Sequence, residues 1–92
     1  MKLIPTKEFN KTVSKITDKI AKKRLEELTT RLEEAKSLSS IPHLIPIKGT
    51  EGLYRITTGD YRLLIKPLTN AIIIILLIDY RRRNEKTYKG LS

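Results

Sequence analysis

Ninety-two residues make one domain, near the small end of what folds without a disulfide or structural metal, and the absence of cysteine removes thiol nucleophiles, disulfides and thiolate metal sites. Nineteen lysines and arginines against ten acids give a formal charge of +9, so the partners to expect are nucleic acid, an acidic protein or an anionic surface. The longest apolar run, Ala71 to Ile78, is eight residues where a membrane span needs about 20, and Met1-Lys2-Leu3-Ile4-Pro5 has no leader character, which predicts a soluble cytoplasmic protein with residues 1–92 as one unit.

Lys2-Leu3-Ile4-Pro5 reads as a short first strand, blunted by Pro5 and followed by Thr6 as a helix N-cap. Phe9, Val13, Ile16 and Ile20 recur at helical spacing, as do Leu25, Leu28, Leu32 and Ala35. The apolar phase shifts between the two sets, and Asp18 stands where a second helix can be capped, which predicts two helices breaking near Thr17-Asp18. Glu26, Glu27, Glu33 and Glu34 interrupt the basic residues around them, so the polar side is a solvated face and not a membrane-binding one.

Ser37 to Pro42 ends the helical half with cap and breaker residues, and His43, with no second histidine or cysteine nearby, reads as a loop residue rather than a metal ligand. Leu44 to Lys48 is expected as an outer strand that Pro46 confines to an edge or a bulge. Two β-rich runs then flank Gly59-Asp60, and a glycine first in a two-residue loop supplies the positive φ of a type II′ hairpin. That loop fixes the register, pairing Thr58 with Tyr61, Thr57 with Arg62, Ile56 with Leu63, Arg55 with Leu64 and Tyr54 with Ile65. Alternation assigns Tyr54, Ile56, Thr58, Tyr61, Leu63 and Ile65 to the core face, leaving Leu53, Arg55, Thr57, Arg62 and Leu64 on the other.

Arg55 and Arg62 are diagonal neighbours on that second face, where like charges repel unless an anion or carboxylate lies between them. The plain alternative is a pair of solvated arginines whose stems cover apolar surface. Ala71 to Ile78, apolar on both faces and largely β-branched, is expected as an inner strand. At about 1.5–3 kcal/mol per fully buried aliphatic side chain it could contribute more than about 10 kcal/mol of burial. Asp79 to Lys89 follows as a tail holding five basic residues and two tyrosines, placed within reach of the arginine-bearing face.

The order of these elements resembles the RelE/ParE superfamily of bacterial type II toxins, and the RelE-like branch in particular. The motifs that carry the likeness are Gly52-Leu53-Tyr54-Arg55-Ile56, Gly59-Asp60-Tyr61-Arg62-Leu63-Leu64-Ile65, the aliphatic strand after them, and Arg82 followed by Tyr88. The resemblance spans nearly the whole chain and includes the opening Phe9 helix and the Lys48-Gly49 approach to the sheet. It implies an α+β fold in which an N-terminal helical hairpin packs on a twisted, mostly antiparallel sheet of four to five strands, whose other face forms a basic site. It also implies one of two activities, metal-independent cleavage of messenger RNA in the ribosomal A site or inhibition of DNA gyrase, with a cognate antitoxin as partner; a non-catalytic RNA-binding member is a further reading.

By position, Arg55, Arg62, Arg82 and Tyr88 match the RelE-like site, and Thr57 departs from it where a second strand lysine can stand. Attack of a ribose 2′-hydroxyl on the adjacent phosphate needs a base, cations for charge growing on phosphorus and an acid for the leaving oxygen. Neither a metal nor a cofactor is called for. With one histidine, the proton acceptor falls to Tyr88 or to a lysine of lowered pKa, and surrounding arginines would favour tyrosinate. Arg62 and Arg82 are assigned to the phosphorane, Arg55 to phosphate binding, and Lys48 and Lys86 to the messenger or ribosomal backbone. Arg81, Arg83 and Lys86 could compensate for Thr57, and Tyr80 would stack on a base or pack against the sheet. Tyr54 and Tyr61 read as structural. The positive charge further predicts an acidic, partly disordered antitoxin laid across the Arg55 and Arg62 face.

Overall fold

In the computed structural model, which describes residues 1–68 and 74–82, two helices pack on one face of a five-stranded sheet. The elements in chain order are β1 (Lys2–Pro5), α1 (Lys7–Ser14), α2 (Lys19–Glu34), a 3-10 turn (Leu38–Ser40), β2 (Leu44–Pro46), β3 (Tyr54–Thr58), β4 (Tyr61–Leu68) and β5 (Ile74–Arg82). The strands lie in the order β1-β5-β4-β3-β2; β1 runs parallel to β5 and the other pairs are antiparallel. This is the α+β arrangement expected.

The local chemistry sets the element boundaries. The Thr6 hydroxyl accepts the Phe9 N–H at 3.2 Å and opens α1. The Asp18 carboxylate accepts the Ile20 and Ala21 N–H groups at 2.9 and 3.2 Å and opens α2, so the two helices break near Thr17-Asp18 as expected, and Ile20 falls in the first turn of α2, exposed. Gly59 has φ +60° at the β3–β4 turn, and the hairpin holds all five expected pairs from Thr58↔Tyr61 to Tyr54↔Ile65.

The core lies between the helices and this sheet. Phe9 from α1, Ile16 from the α1–α2 connection and Ala21, Leu25, Leu28 and Leu32 from α2 meet Ile56, Leu63, Ile65, Ile75 and Leu77. Tyr61 joins them and Tyr54 packs at the margin, as expected for structural residues. Pro46 does fall in an edge strand.

The final strand corrects the expected boundaries. Residues 71–73 lie outside the described part of the chain, and the strand that begins at Ile74 continues through Asp79, Tyr80, Arg81 and Arg82 instead of giving way to a tail at Asp79. β4 supplies the reason: its first residues, Tyr61 to Leu64, pair with Arg82 to Asp79 and so hold that stretch extended.

Candidate functional site

The face of the sheet turned away from the helices carries the charge. Within the β4–β5 ladder, Leu64 pairs with Asp79 but Ile65 pairs with Leu77, so Ile78 is an extra residue that forms a β-bulge. Before the bulge Ile75 and Leu77 point into the core; after it Tyr80 does, and Asp79 and Arg81 emerge on the outer face. Thr6 ties down the bulge from α1, its N–H bonding Leu77 O at 3.0 Å and its hydroxyl lying 2.8 Å from Leu77 O and 3.3 Å from Ile78 O.

Arg62 therefore stands directly opposite Arg81, and Arg55 opposite Leu64. Directly opposite residues sit about 4.5–5.5 Å apart at their Cβ atoms and diagonal ones about 7–8 Å, so Arg62 and Arg81 form a close pair, with Arg55 a diagonal neighbour of Arg62 in a row across β3, β4 and β5. Asp79 lies in the same patch, 7% exposed, with Oδ2 2.6 Å from Arg81 Nε and Oδ1 accepting the Tyr80 N–H at 2.9 Å. The Asp79 carboxylate offsets the charge of Arg81, its ion-pair partner, and the patch stays cationic. Arg62 is half-buried, while Leu64 beside it is 1% exposed and separate from the main core.

Other predicted site residues are placed elsewhere. Arg82 pairs with Tyr61 and projects on the helix side, across the sheet from Arg62. Lys48 is exposed in the turn between β2 and β3, at the end of the hairpin away from Gly59. His43 is an exposed turn residue with φ +61°, and no metal-ligating cluster occurs among the described residues. Arg83, Lys86 and Tyr88 lie outside the described residues.

Tyr80, expected either to stack on a base or to pack, packs. It is 0% exposed, its ring stacks on Tyr61 with centroids 4.8 Å apart and planes at 17°, and its hydroxyl donates to Ala21 O at 3.0 Å. Burial, then the neighbouring Tyr61 and Asp18, push its pKa up to about 12 against an opposing pull from Arg24. With 0% of its surface exposed it offers no face for a base to stack on, so of the two readings packing is the one the structure shows.

Asp79 is the residue that sequence reasoning missed. Its signal was present: an acid ending an apolar run and standing two before an arginine shares a strand face with that arginine. On the helix side, a cleft of about 460 Å³ opens where the α1–α2 connection meets the end of β5, with Lys11, Lys15 and Arg82 on its walls.

Residues 3–85 match the family model of the ParE toxin of type II toxin–antitoxin systems. No curated protein sequence matches the chain. Among solved structures, the chain is similar to one from the RelB-RelE antitoxin–toxin complex of Methanococcus jannaschii, with TM-score 0.71 and 22% identity over 97% of this chain and 99% of that one. It is also similar to one from the RelBE2 toxin–antitoxin complex of Mycobacterium tuberculosis, with TM-score 0.63 and 16% identity over 89% and 96% of the two chains. At these identities the structures establish a shared fold.

Proposed function

The chain belongs to the ParE toxin family, within the RelE/ParE superfamily of type II toxin–antitoxin toxins, and on that premise we propose that it is a ribosome-dependent endoribonuclease cutting messenger RNA in the A site. The observation that carries this reading is the direct pairing of Arg62 with Arg81 on the outer face, extended by Arg55. Two guanidiniums side by side on rigid strands can bind both non-bridging oxygens of one phosphate, and they act on the charge that grows there during 2′-hydroxyl attack.

In this mechanism Arg62 and Arg81 hold the scissile phosphate, and Arg55 holds a neighbouring one. Arg81 takes the role expected for Arg82, whose strand position faces the helices. Asp79 orients Arg81 through its 2.6 Å contact and accepts no proton from the substrate. Tyr88 is assigned as the proton acceptor for the 2′-hydroxyl, with Arg83 and Lys86 on the messenger or ribosomal backbone near it. The 2′-oxygen bonds to phosphorus as its proton passes to the Tyr88 phenolate, the P–O5′ bond breaks with the 5′-oxygen taking a proton from water, and the products are a 2′,3′-cyclic phosphate and a 5′-hydroxyl. Substrate and ribosome place the protein in the cytoplasm, and no helix among the described residues is long and apolar enough to cross a membrane.

The partner is an acidic antitoxin. The two solved structures named above come from toxin–antitoxin complexes, and the formal +9 charge favours an acidic chain laid over Arg55, Arg62 and Arg81. A second reading, inhibition of DNA gyrase, is favoured by the ParE family model. Such an inhibitor needs a docking surface and no phosphoryl-transfer site.

Primer extension on a defined messenger, bound to purified ribosomes or free, tests the proposal. The expected result is a cut in the ribosomal complex alone, slowed about 100-fold or more by Arg62→Gln or Arg81→Gln. No cut in either tube from folded protein, together with blocked supercoiling by purified gyrase, selects the second reading.

A further inference from the structure

We infer that the helix-side cleft is a second subsite for the same single RNA strand, reached by passing around the end of the β4–β5 ladder from the outer face. The inference rests on the RNA-cleaving reading and adds a path for the substrate to it. Arg81 and Arg82 are consecutive residues at the end of β5, and alternation sends one to each face of the sheet. The strand end thus carries a cation on both sides, and both arginines border the cleft.

The cleft is built for a phosphate-bearing chain. Its volume of about 460 Å³ falls within the about 300–1,000 Å³ of small-molecule sites. Lys11 and Lys15 stand four residues apart along one side of the first helical segment, so their ammonium groups can reach one ligand, and both are exposed. Arg82 faces them from the strand, and Thr12 and Thr17 add hydroxyl donors.

Two carboxylates, Glu8 and Asp18, also line this space. Asp18 is engaged by the Ile20 and Ala21 N–H groups at the N-terminus of α2, which offset its charge. With Arg81 held by Asp79, the remaining cations Lys11, Lys15 and Arg82 against Glu8 leave the walls positive. A mononucleotide cannot touch Arg62 and Lys15 across the sheet, whereas a longer strand wrapped around the β5 end can; binding that strengthens with length is the signature.

Fluorescence anisotropy with labelled oligoribonucleotides of three and twelve nucleotides, over a salt series, tests this on the full chain. The wild type is expected to bind the 12-mer more tightly than the 3-mer. Lys11→Gln/Lys15→Gln should weaken the 12-mer about tenfold, lower its log–log salt slope by about 1.4 for two lost phosphate contacts, and leave the 3-mer unchanged. Both lysines are exposed, so the variant is expected to fold, which circular dichroism checks. Unchanged 12-mer binding by that variant, while Arg62→Gln weakens both lengths, overturns the subsite and keeps the outer-face reading. If oligoglutamate but not the 12-mer is bound more weakly by the variant, the cleft serves an acidic protein segment and the inference also falls. Failure of the wild type to bind either RNA overturns the inference, whereas the reading beneath it falls only if primer extension shows no cut on the ribosome.

Discussion

Replacing Tyr80 with phenylalanine should weaken the protein at neutral pH and strengthen it, relative to wild type, in strong alkali. At pH 7 the substitution removes the hydrogen bond to Ala21 O at 3.0 Å, at a cost of about 1 kcal/mol, and keeps the ring stacked on Tyr61. The alkaline effect has the opposite sign. Folded Tyr80 holds its proton more tightly than an unfolded tyrosine, its pKa pushed from 10.0 up to about 12. The corresponding stability is complete below about pH 10 and is lost as pH rises through about 12, a total of about 3 kcal/mol for a shift of that size. The wild type thus loses roughly 1 kcal/mol from this residue by about pH 11, enough to erase the advantage of its hydrogen bond. Phenylalanine has no proton to lose, so the two stability curves cross near about pH 11. Lysines also titrate there, but in both proteins, and the difference between them isolates Tyr80. Urea unfolding followed by circular dichroism at pH 7, 9, 10, 11 and 11.5 measures it. Parallel curves that never converge would refute the burial argument and with it the exclusion of Tyr80 from substrate contact.

Thr6→Val deletes both the α1 cap and the hydroxyl's bonds to the bulge carbonyls, keeping the backbone N–H bond to Leu77 O; a loss of about 1–3 kcal/mol in urea unfolding is expected, with faster amide exchange at Asp79 to Arg82 than elsewhere in the sheet. Asp79→Asn removes the charge beside Arg81, and should lower stability by about 1–2 kcal/mol while tightening single-stranded RNA binding and steepening its salt dependence. Gly59→Ala places a Cβ at φ +60° and against the Arg24 guanidinium; a cost of about 1–2 kcal/mol is expected as a Tm lowered by roughly 4–16 °C.

The β3–β4 hairpin was legible because a two-residue loop beginning with glycine fixes both turn type and register, and strict alternation then fixes the faces. Thr6 and Asp18 were legible as caps for a similarly local reason: each satisfies backbone donors within three residues of itself. What local pattern could not reveal was the pairing of β5. Ile74 to Ile78 is apolar at every position, so its composition carries no alternation from which to read a face, and a bulge within it leaves no signature. The charged residues after it resembled a tail because their partners, Tyr61 to Leu64, lie 15 to 21 positions away in sequence. Expected catalytic residue Tyr88 stands where neither alternation nor the described structure reaches.

The position of one extra residue decides which arginine accompanies Arg62. Had the ladder from Ile74↔Leu68 to Leu77↔Ile65 continued without a bulge, Tyr80 would have paired with Arg62 and Arg81 with Tyr61. Asp79 and Arg81 would then enter the core beneath the helices, and Tyr80 and Arg82 would occupy the outer face. Burying a charged pair there costs several kcal/mol per ion before compensation, whereas the bulge instead buries an aromatic ring whose hydroxyl finds Ala21 O. The bulge is thus selected by the packing of Tyr80 against Tyr61 and α2, and pinned by Thr6 at Leu77 and Ile78. Its consequence appears on the opposite side of the sheet, where Arg81 is set against Arg62 with Asp79 holding it in place. Stability on the helix face and charge placement on the outer face are two results of the same register, so a substitution that loosens Tyr80 or Thr6 should disturb the arginine row without touching it.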